Sequence, residues 1–273
     1  MNLPVSRWLL RHLPLVFSIC LLSSSALAQA PAPSEADAEI IRAMDKAVYS
    51  QVRSGLKDLT LRFRNPDWQD DPLFRNLDVL FYWKEPRQKR FAIEGLPRAY
   101  KSLEARRVQS FQFMIELLVH LPYEDNLERT PMSVVRDAQG NPKQPIEVER
   151  RFPEGHPVLK QVYTLDERFL PIKVTTYQRE AAFTITREQQ FEKREDGSYL
   201  ITRMINRAPG YEETIDIEYV TRKDIDLTSK ITLRYPPSED AMKAGAEDTV
   251  KVYDIEIVAV NSGLSDELFD SEK

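Results

Sequence analysis

Apolar and polar residues alternate with a period of two along most of this chain, and this alternation limits the possible folds more than any other feature. In residues 59–64, for example, two Leu and one Phe alternate with one Thr and two Arg. A period of two is typical of a β-strand that buries one face. The pattern predicts about eleven or twelve strands, at residues 59–63, 77–84, 90–94, 132–136 (the weakest), 146–152, 159–165, 171–177, 183–191, 199–205, 213–220, 230–235 and 250–258. Short connections with turn residues, such as Asp196-Gly197, predict antiparallel neighbours.

Three segments have helical spacing instead. Ser34 followed by Asp37 is similar to a capping box, and apolar residues recur every three or four positions up to Gly55. These signals predict a first helix over residues 34–55. A second helix is predicted over residues 97–121, and residues 238–246 form either a short third helix or a loop. Helices combined with many antiparallel strands indicate the α+β class, and the accumulated twist of about eleven strands makes such a sheet curl or close.

The first 28 residues have the composition of a cleavable secretory signal peptide. Arg7 and Arg11 precede an apolar run at residues 13–22, and small residues follow up to Ala28. This order predicts cleavage after Ala28 and a periplasmic location for the mature chain. A membrane anchor is the alternative, but the run is shorter than the roughly 20 residues that a spanning helix needs. Residues 29–33, which are rich in Ala and Pro, are predicted to be a short flexible leader.

Cys20 is the only cysteine, and it lies inside the predicted signal peptide. Lipid attachment at Cys20 is disfavoured because Ile19 occupies a position where lipoprotein signals carry a small residue. The mature chain would therefore contain neither a disulfide bond nor a reactive thiol. The formal net charge is −5 before cleavage. Since nucleic-acid binding requires clustered positive charge, we expect no nucleic-acid partner.

The sequence contains none of the common signatures of catalysis or cofactor binding. His120 and His156 occur outside any zinc motif, and both are interpreted as capping or surface residues. The scattered glycines form no phosphate-binding loop, and no G-x-S-x-G motif is present. The acidic segment 67–72 fails the calcium-loop template, because Pro72 stands where glycine is required, and we interpret it as a β-turn. We therefore expect no enzyme activity, no metal and no cofactor.

Several motifs, taken in order, resemble the LolA-like family of periplasmic lipoprotein carriers, also called outer-membrane lipoprotein-sorting proteins. After the first helix and strand, Phe-Tyr-Trp-Lys-Glu-Pro at 81–86 is followed by the basic and apolar strand 89–94. A hairpin at 162–174 contains an Asp after its first strand and a Leu-Pro before its second. The chain ends with Ile-Glu-Ile at 255–257 and then Gly-Leu-Ser-Asp-Glu-Leu-Phe at 263–269. The chain is longer than compact members of the family, and the excess is assigned to residues 123–157.

The resemblance implies a strongly curved, unclosed antiparallel sheet, or half-barrel, in which helices cover an apolar concave face. Residues 34–273 would then form a single domain. In such a protein the concave face holds acyl chains, and Arg62 and Arg64 are the candidates for the arginine that fastens the lid. The competing interpretation is that the apolar strand residues form a filled core. The predicted lipid-binding residues are Leu59, Leu61, Phe63, Val79, Phe81, Trp83, Phe91, Ile93, Tyr163 and Leu165.

The function implied by the resemblance is a carrier that binds a lipid or an acylated lipoprotein and shields its acyl chains from water. Regulators of the RseB type resemble these carriers and are the alternative. They act through contact with a membrane-anchored envelope protein. The two interpretations differ in the ligand that matters, a lipid in one case and a protein partner in the other.

The predicted signal peptide has a direct test. Protein extracted from the envelope of the bacterium that makes it should have the intact mass of a chain that begins at Gln29, because the cleavage site follows Ala28. Intact-mass spectrometry measures this. A mass that includes Met1, or a lipid on Cys20, would contradict the prediction.

Overall fold

The structure is a computed structural model that describes residues 34–70, 75–95, 114–123, 130–180, 183–237, 243 and 245–270. The predicted signal peptide and leader, residues 1–33, lie outside the described residues. So do most of the second predicted helix and of the third. None of the helices in the described ranges combines the length and the apolar character needed to cross a lipid bilayer.

The described strands form one antiparallel sheet of twelve. Its spatial order is β3-β2-β1-β12-β11-β10-β9-β8-β7-β6-β5-β4, so the sheet is unclosed, with β3 at one edge and β4 at the other. The strands are β1 (Asp58–Arg64), β2 (Asp78–Lys84), β3 (Gln88–Glu94), β4 (Met132–Val134), β5 (Glu147–Arg151), β6 (Val158–Leu165), β7 (Pro171–Gln178), β8 (Thr184–Lys193), β9 (Tyr199–Ala208), β10 (Tyr211–Arg222), β11 (Ile225–Tyr235) and β12 (Thr249–Val260).

All twelve segments predicted as strands are strands, and β11 differs most from its predicted bounds. It begins at Ile225 instead of residue 230. Arg222 pairs with Ile225 across a two-residue turn, in which Lys223 and Asp224 both have positive φ, at 50° and 62°. Such a turn matches the twist of a hairpin but normally carries Asn or Gly. The start of β11 was missed because Lys-Asp lacks that turn signature.

The first helix, α1 (Glu35–Ala47), begins as predicted and ends earlier. The Asp37 N–H donates to Ser34 Oγ at 3.2 Å, which confirms the N-cap. The predicted continuation to Gly55 is wrong, because Val48 is extended and forms an isolated parallel bridge with Tyr199 of β9. The Arg53 side chain then folds back and donates to the carbonyl oxygens of Asp45 and Val48, which satisfies groups that the helix end leaves open.

The segment interpreted as a β-turn at 67–72 begins instead as a short helix, α2 (Pro66–Asp70). Asn65 precedes it, and its Oδ1 accepts a hydrogen bond of 2.8 Å from the Asp67 N–H. Asn at the N-cap followed by Pro at the first helical position is a strong start signal that the turn interpretation overlooked. Of the second predicted helix, the described part contains α3 (Ile115–Leu118), and a 3₁₀ turn, η1 (Asp266–Leu268), lies near the end of the chain.

The buried apolar residues lie in two clusters on one face of the sheet, called here the buried face. The larger cluster joins β1–β3 with β9–β12 and includes Met114, Leu117 and Leu118 around α3. The smaller cluster joins β4–β7 with Ile41 and Met44 of α1. Asp37 fixes α1 on this side, because its carboxylate accepts from the Val134 N–H at 3.1 Å and from Arg136 at 2.5 Å.

The pairing of β1 with β12 joins residues about two hundred positions apart in the chain. Beside it, the buried carboxylate of Asp58 accepts hydrogen bonds from the N–H groups of Ser262 (2.7 Å) and Gly263 (2.9 Å). Burial alone would raise the pKa of Asp58, but these hydrogen bonds outweigh it and hold the pKa below its usual range. The Asp58 carboxylate therefore anchors the segment that follows β12 to the start of β1.

Replacing Asp58 tests this anchor. Asp58→Ala should lower the free energy of unfolding by about 1–3 kcal/mol at neutral pH, because the N–H groups of Ser262 and Gly263 lose their acceptor. A depressed folded-state pKa stabilises above the unfolded value and loses that effect as the pH falls through the folded value. The difference from the parent protein should therefore shrink as the pH falls below the ordinary Asp value of 3.8, measured by urea unfolding. Asp254→Ala, at an exposed position of β12, is the control. Equal losses in both variants would contradict the assignment.

Candidate functional site

Eight of the ten predicted lipid-binding residues lie side by side on the buried face of β1, β2 and β3. Cross-strand register pairs Leu59 with Trp83, and the remaining pairs follow at alternate positions. Phe81 in turn pairs with Phe91 on the edge strand. This set is called the β1–β3 patch, and its members are Leu59, Leu61, Phe63, Val79, Phe81, Trp83, Phe91 and Ile93.

The β1–β3 patch is packed. Its side chains are at most 8% exposed, and Phe81 and Trp83 are 0% and 1% exposed. The ring centroids of Phe81 and Phe91 are 4.9 Å apart. Filled apolar interiors of this kind pack as densely as organic crystals. An acyl chain would therefore reach the patch only by displacing the residues that cover it.

Tyr163 and Leu165, the other two predicted residues, lie apart from the β1–β3 patch. Both are on β6 and belong to the smaller cluster, at 5% and 2% exposure. Tyr163 pairs with Val148 of β5 and Val174 of β7. The sequence placed all ten residues on one face, and the sheet order puts β6 seven strands away from β1.

Polar side chains also lie on the buried face, in two hydrogen-bonded groups. One group is Gln161 with Thr176, on β6 and β7, and the other is Arg187, Asn206 and Glu213, at matching positions on β8 to β10. The two groups together are called the polar strip, although Arg187 lies opposite Val174 on β7 and not opposite Thr176. Gln161 donates to Thr176 at 3.3 Å, Arg187 to Asn206 at 3.0 Å, and Asn206 to Glu213 at 2.9 Å. Because these groups satisfy one another, the strip can be buried at low cost.

Sequence reasoning missed the whole polar strip, of which Glu213 is the most buried member. Glu213 is 6% exposed, whereas its neighbour Glu212 pairs with Arg207 on the opposite face. Burial raises the pKa of Tyr211 and of Tyr235, and the nearby charge of Glu213 raises both further. A sequence signal existed, since Glu213 is in phase with the buried Ile215 and Ile217. An acidic residue that shares a strand face with two buried apolar residues is itself expected to be buried.

Arg62 and Arg64, the candidate lid-fastening arginines, lie on the face opposite the β1–β3 patch. They alternate with the apolar residues of β1, and both contact Glu256 of β12, at 3.4 Å and 3.2 Å. Arg62 also pairs with Asp78 at 3.0 Å. A lid over the patch would lie on the other side of the sheet, so neither arginine can fasten it.

His120 borders a small cavity on the buried face. Its backbone N–H donates to Gln51 Oε1 at 2.9 Å, and its ring meets the edge of Tyr123 at 5.4 Å between centroids. Its Nε2 is buried and has no hydrogen-bond partner in the described part of the protein. The cavity volume is about 20 Å³, enough for one water molecule that could satisfy Nε2. It is lined by Val48, Tyr49, Gln51, Glu116, Leu117, His120, Leu200, Ile201, Met204, Ile217 and Tyr219.

His120 and His156, the two histidines outside the predicted signal peptide, therefore have different environments. His156 caps its turn as predicted, because its Nδ1 accepts from the Val158 N–H at 3.0 Å and its ring stacks on Phe152. The surface interpretation is wrong for His120. Burial, with a smaller contribution from the positive charge of Arg53, lowers the pKa of His120 to about 4, against an opposing effect of Glu116. Its imidazole is neutral at physiological pH.

Within the described ranges, no group of three or more His, Cys, Asp or Glu side chains is arranged to hold a metal ion. Two concave features of the described residues lie away from the ten predicted residues. None of the ten lines the cavity at His120 or the larger cavity described below.

The burial of the His120 imidazole has a measurable consequence in a chain without the predicted signal peptide, in which His120 and His156 are the two histidines. By NMR, the imidazole of His120 should titrate with a midpoint at about 4. Because the unfolded chain takes up this proton near pH 6.5, stability should fall as the pH drops from about 6.5 to 4. His120→Gln should lose less stability over this interval than the parent, and His156→Gln is the comparison. A His120 midpoint near 6.5 would contradict the buried assignment.

Comparisons of the chain with models of protein families, with curated proteins and with solved structures found no match. The resemblance to the LolA-like carriers thus stays a prediction from the motifs. The unclosed antiparallel sheet, its two apolar clusters and its polar strip are findings from the structure, and they are the basis for a function.

Proposed function

We propose that this chain is an exported protein of the bacterial envelope that binds the acyl chains of a lipid or of an acylated lipoprotein. The sheet is proposed to curl into a half-barrel, with its buried face on the concave side and helices over that side. The ligand's acyl chains lie against the β1–β3 patch and the apolar residues next to it. The mature protein acts in the periplasm as a carrier without enzymatic activity, metal or cofactor.

One observation supports this proposal most directly. The larger apolar cluster occupies one face of seven neighbouring strands in a sheet that does not close. In spatial order these strands are β3, β2, β1, β12, β11, β10 and β9. Strand twist makes a sheet of this width curl, and curling gives the two faces different areas. An apolar face wider than the short helices beside it suits a ligand with long apolar chains, since each buried CH₂ contributes roughly 0.8 kcal/mol.

The segment around α3 is the proposed cover that moves when a chain binds. Met114, Leu117 and Leu118 pack into the larger cluster, and Thr228 Oγ1 donates to the Leu117 carbonyl at 2.6 Å. A helix of four residues has little stability of its own. Its position therefore depends on contacts with the sheet, which acyl chains can replace.

Trp83 is already shielded from water, so ligand binding should hardly shift the wavelength of its emission. Quenching of that emission by a nitroxide is therefore the better test of the proposal. In the mature Trp68→Phe variant, Trp83 is the only tryptophan. Doxyl-labelled stearate should quench it saturably, since the nitroxide on the chain comes close to the indole. The matched variant Trp83→Phe reports on Trp68, which packs against Tyr253 with ring centroids 6.3 Å apart. Free TEMPO, which has no acyl chain, should quench neither variant at the same concentration.

Lipid identification by mass spectrometry, on protein purified from its own envelope, completes the test. Saturable quenching of Trp83 together with a co-purified acylated molecule supports the carrier. If neither is seen, the acyl-binding proposal is wrong. If a membrane-anchored envelope protein then binds the delipidated chain, the regulator of the RseB type replaces it.

A further inference from the structure

The sheet separates between β9 and β10 at one end. Their register pairs run from Tyr211–Ala208 to Asp216–Arg203. Beyond that point the carbonyl of Ile201 accepts from the Tyr219 hydroxyl at 2.8 Å, and the carbonyl of Tyr199 accepts from the Tyr49 N–H at 2.8 Å. These carbonyl groups of β9 therefore bond to a side chain and to a segment outside the sheet, at positions where β10 would otherwise pair with β9. This part of the sheet is called the β9–β10 gap.

Two register shifts lie on either side of the β9–β10 gap. One falls at Gln190/Phe191 where β8 pairs with β9, and the other at Glu218/Tyr219 where β10 pairs with β11. Bulges of this kind bend a strand and redirect its side chains. Both neighbours therefore bend where β9 and β10 part, which indicates that the gap is built into the sheet.

A cavity of about 470 Å³ fills the gap. This volume lies in the range of roughly 300–1,000 Å³ that is typical of sites for small ligands. Leu200, Ile217 and Tyr219 line both this cavity and the smaller one at His120. Ile217 belongs to the larger apolar cluster and Tyr219 packs against it, so the gap borders that cluster. The cavity is lined by Glu192, Leu200, Thr202, Ile217, Glu218, Tyr219 and Asp226.

We infer that the β9–β10 gap binds the acyl chain of a single-chain amphiphile, whose head group stays at the rim of the gap. The inner lining, Leu200, Ile217 and the ring of Tyr219, is apolar and suits a methylene chain. The inference rests on the proposed acyl-binding function and deepens it, since it names a place where an acyl chain meets the larger cluster without displacing the residues that cover the β1–β3 patch.

The rim selects the head group by charge. Three of the seven lining residues are carboxylates, and none of the seven is basic. Lys230 pairs with Glu218 at 3.1 Å, and Arg194 pairs with Asp226 at 2.6 Å, so Glu192 supplies most of the remaining charge. A cationic or neutral head group is accepted there, and an anionic one has no basic partner. Because Glu192 is exposed, the preference should be only about two- to fivefold.

Photo-crosslinking on the unaltered mature chain locates the ligand. The probe is a dodecyl chain with a diazirine at its end and a trimethylammonium head, used below its micelle concentration. The peptides that contain Leu200, Ile217 and Tyr219 should carry the label. Labelling of the β1–β3 patch instead would contradict the gap as a binding site. If the labelling of that patch were saturable, the acyl-binding proposal would still hold.

Variants give an independent readout. Thr202→Trp fills the rim and should weaken binding of dodecyltrimethylammonium at least about tenfold, whereas Thr164→Trp, on β6, should leave it unchanged. Circular dichroism checks that both variants fold. Glu192→Gln should reduce the preference for dodecyltrimethylammonium over dodecanoate.

The outcomes separate the two proposals. Binding that is unaffected by Thr202→Trp, with no label in the gap, contradicts the gap alone. Absence of binding of dodecyltrimethylammonium, dodecanoate and doxyl stearate to the parent chain contradicts the acyl-binding function as well.

Discussion

The pairing of β1 with β12 holds this structure together. It joins β1, β2 and β3 to the other nine strands of the sheet. Without this pairing the two groups of strands would be separate sheets. Closing a chain segment of nearly two hundred residues carries a large entropy cost, although that cost grows only slowly with length. The buried Asp58 carboxylate and the Asn261 side chain, which bonds the N–H of Lys57 at 2.7 Å, add polar contacts at this seam. The seam also completes the larger apolar cluster, because Leu59 and Leu61 meet Val260 and Ile257 there.

A single wide sheet does not provide a uniform surface. Besides the two apolar clusters, the buried face carries the polar strip, whose members are hydrogen-bonded to one another within two groups. The opposite face is different, since ion pairs link neighbouring strands there. Asp216 contacts both Arg203 (2.5 Å) and Arg234 (3.4 Å) across three strands. Exposed pairs of this kind contribute little to stability, and they account for a high content of charged residues that forms no basic patch.

The local pattern predicted most of the fold correctly. All twelve strands were identified, and the N-cap at Ser34 was confirmed, because side-chain alternation and capping depend on residues close together in the chain. One error occurred where a distant contact decided, and two occurred at local cap or turn features. Helix α1 ends at Ala47 because Val48 pairs with β9, and the β-turn interpretation of 67–72 overlooked the cap formed by Asn65 and Pro66. The start of β11 was missed because its turn uses Lys and Asp at positive φ.

The sequence by itself determined the period of each strand, and therefore which side chains share a face within that strand. It placed the eight residues of the β1–β3 patch together because those strands follow one another in the chain, and consecutive strands commonly pair. Only the tertiary structure decided that β6 lies far from β1, that Glu213 is buried while Glu212 is not, and that β9 separates from β10. The physical reason is that alternation fixes only the direction of a side chain within its own strand. Strand order, bulges and the neighbours across the sheet fix what that side chain meets, and they depend on contacts between residues far apart in the chain.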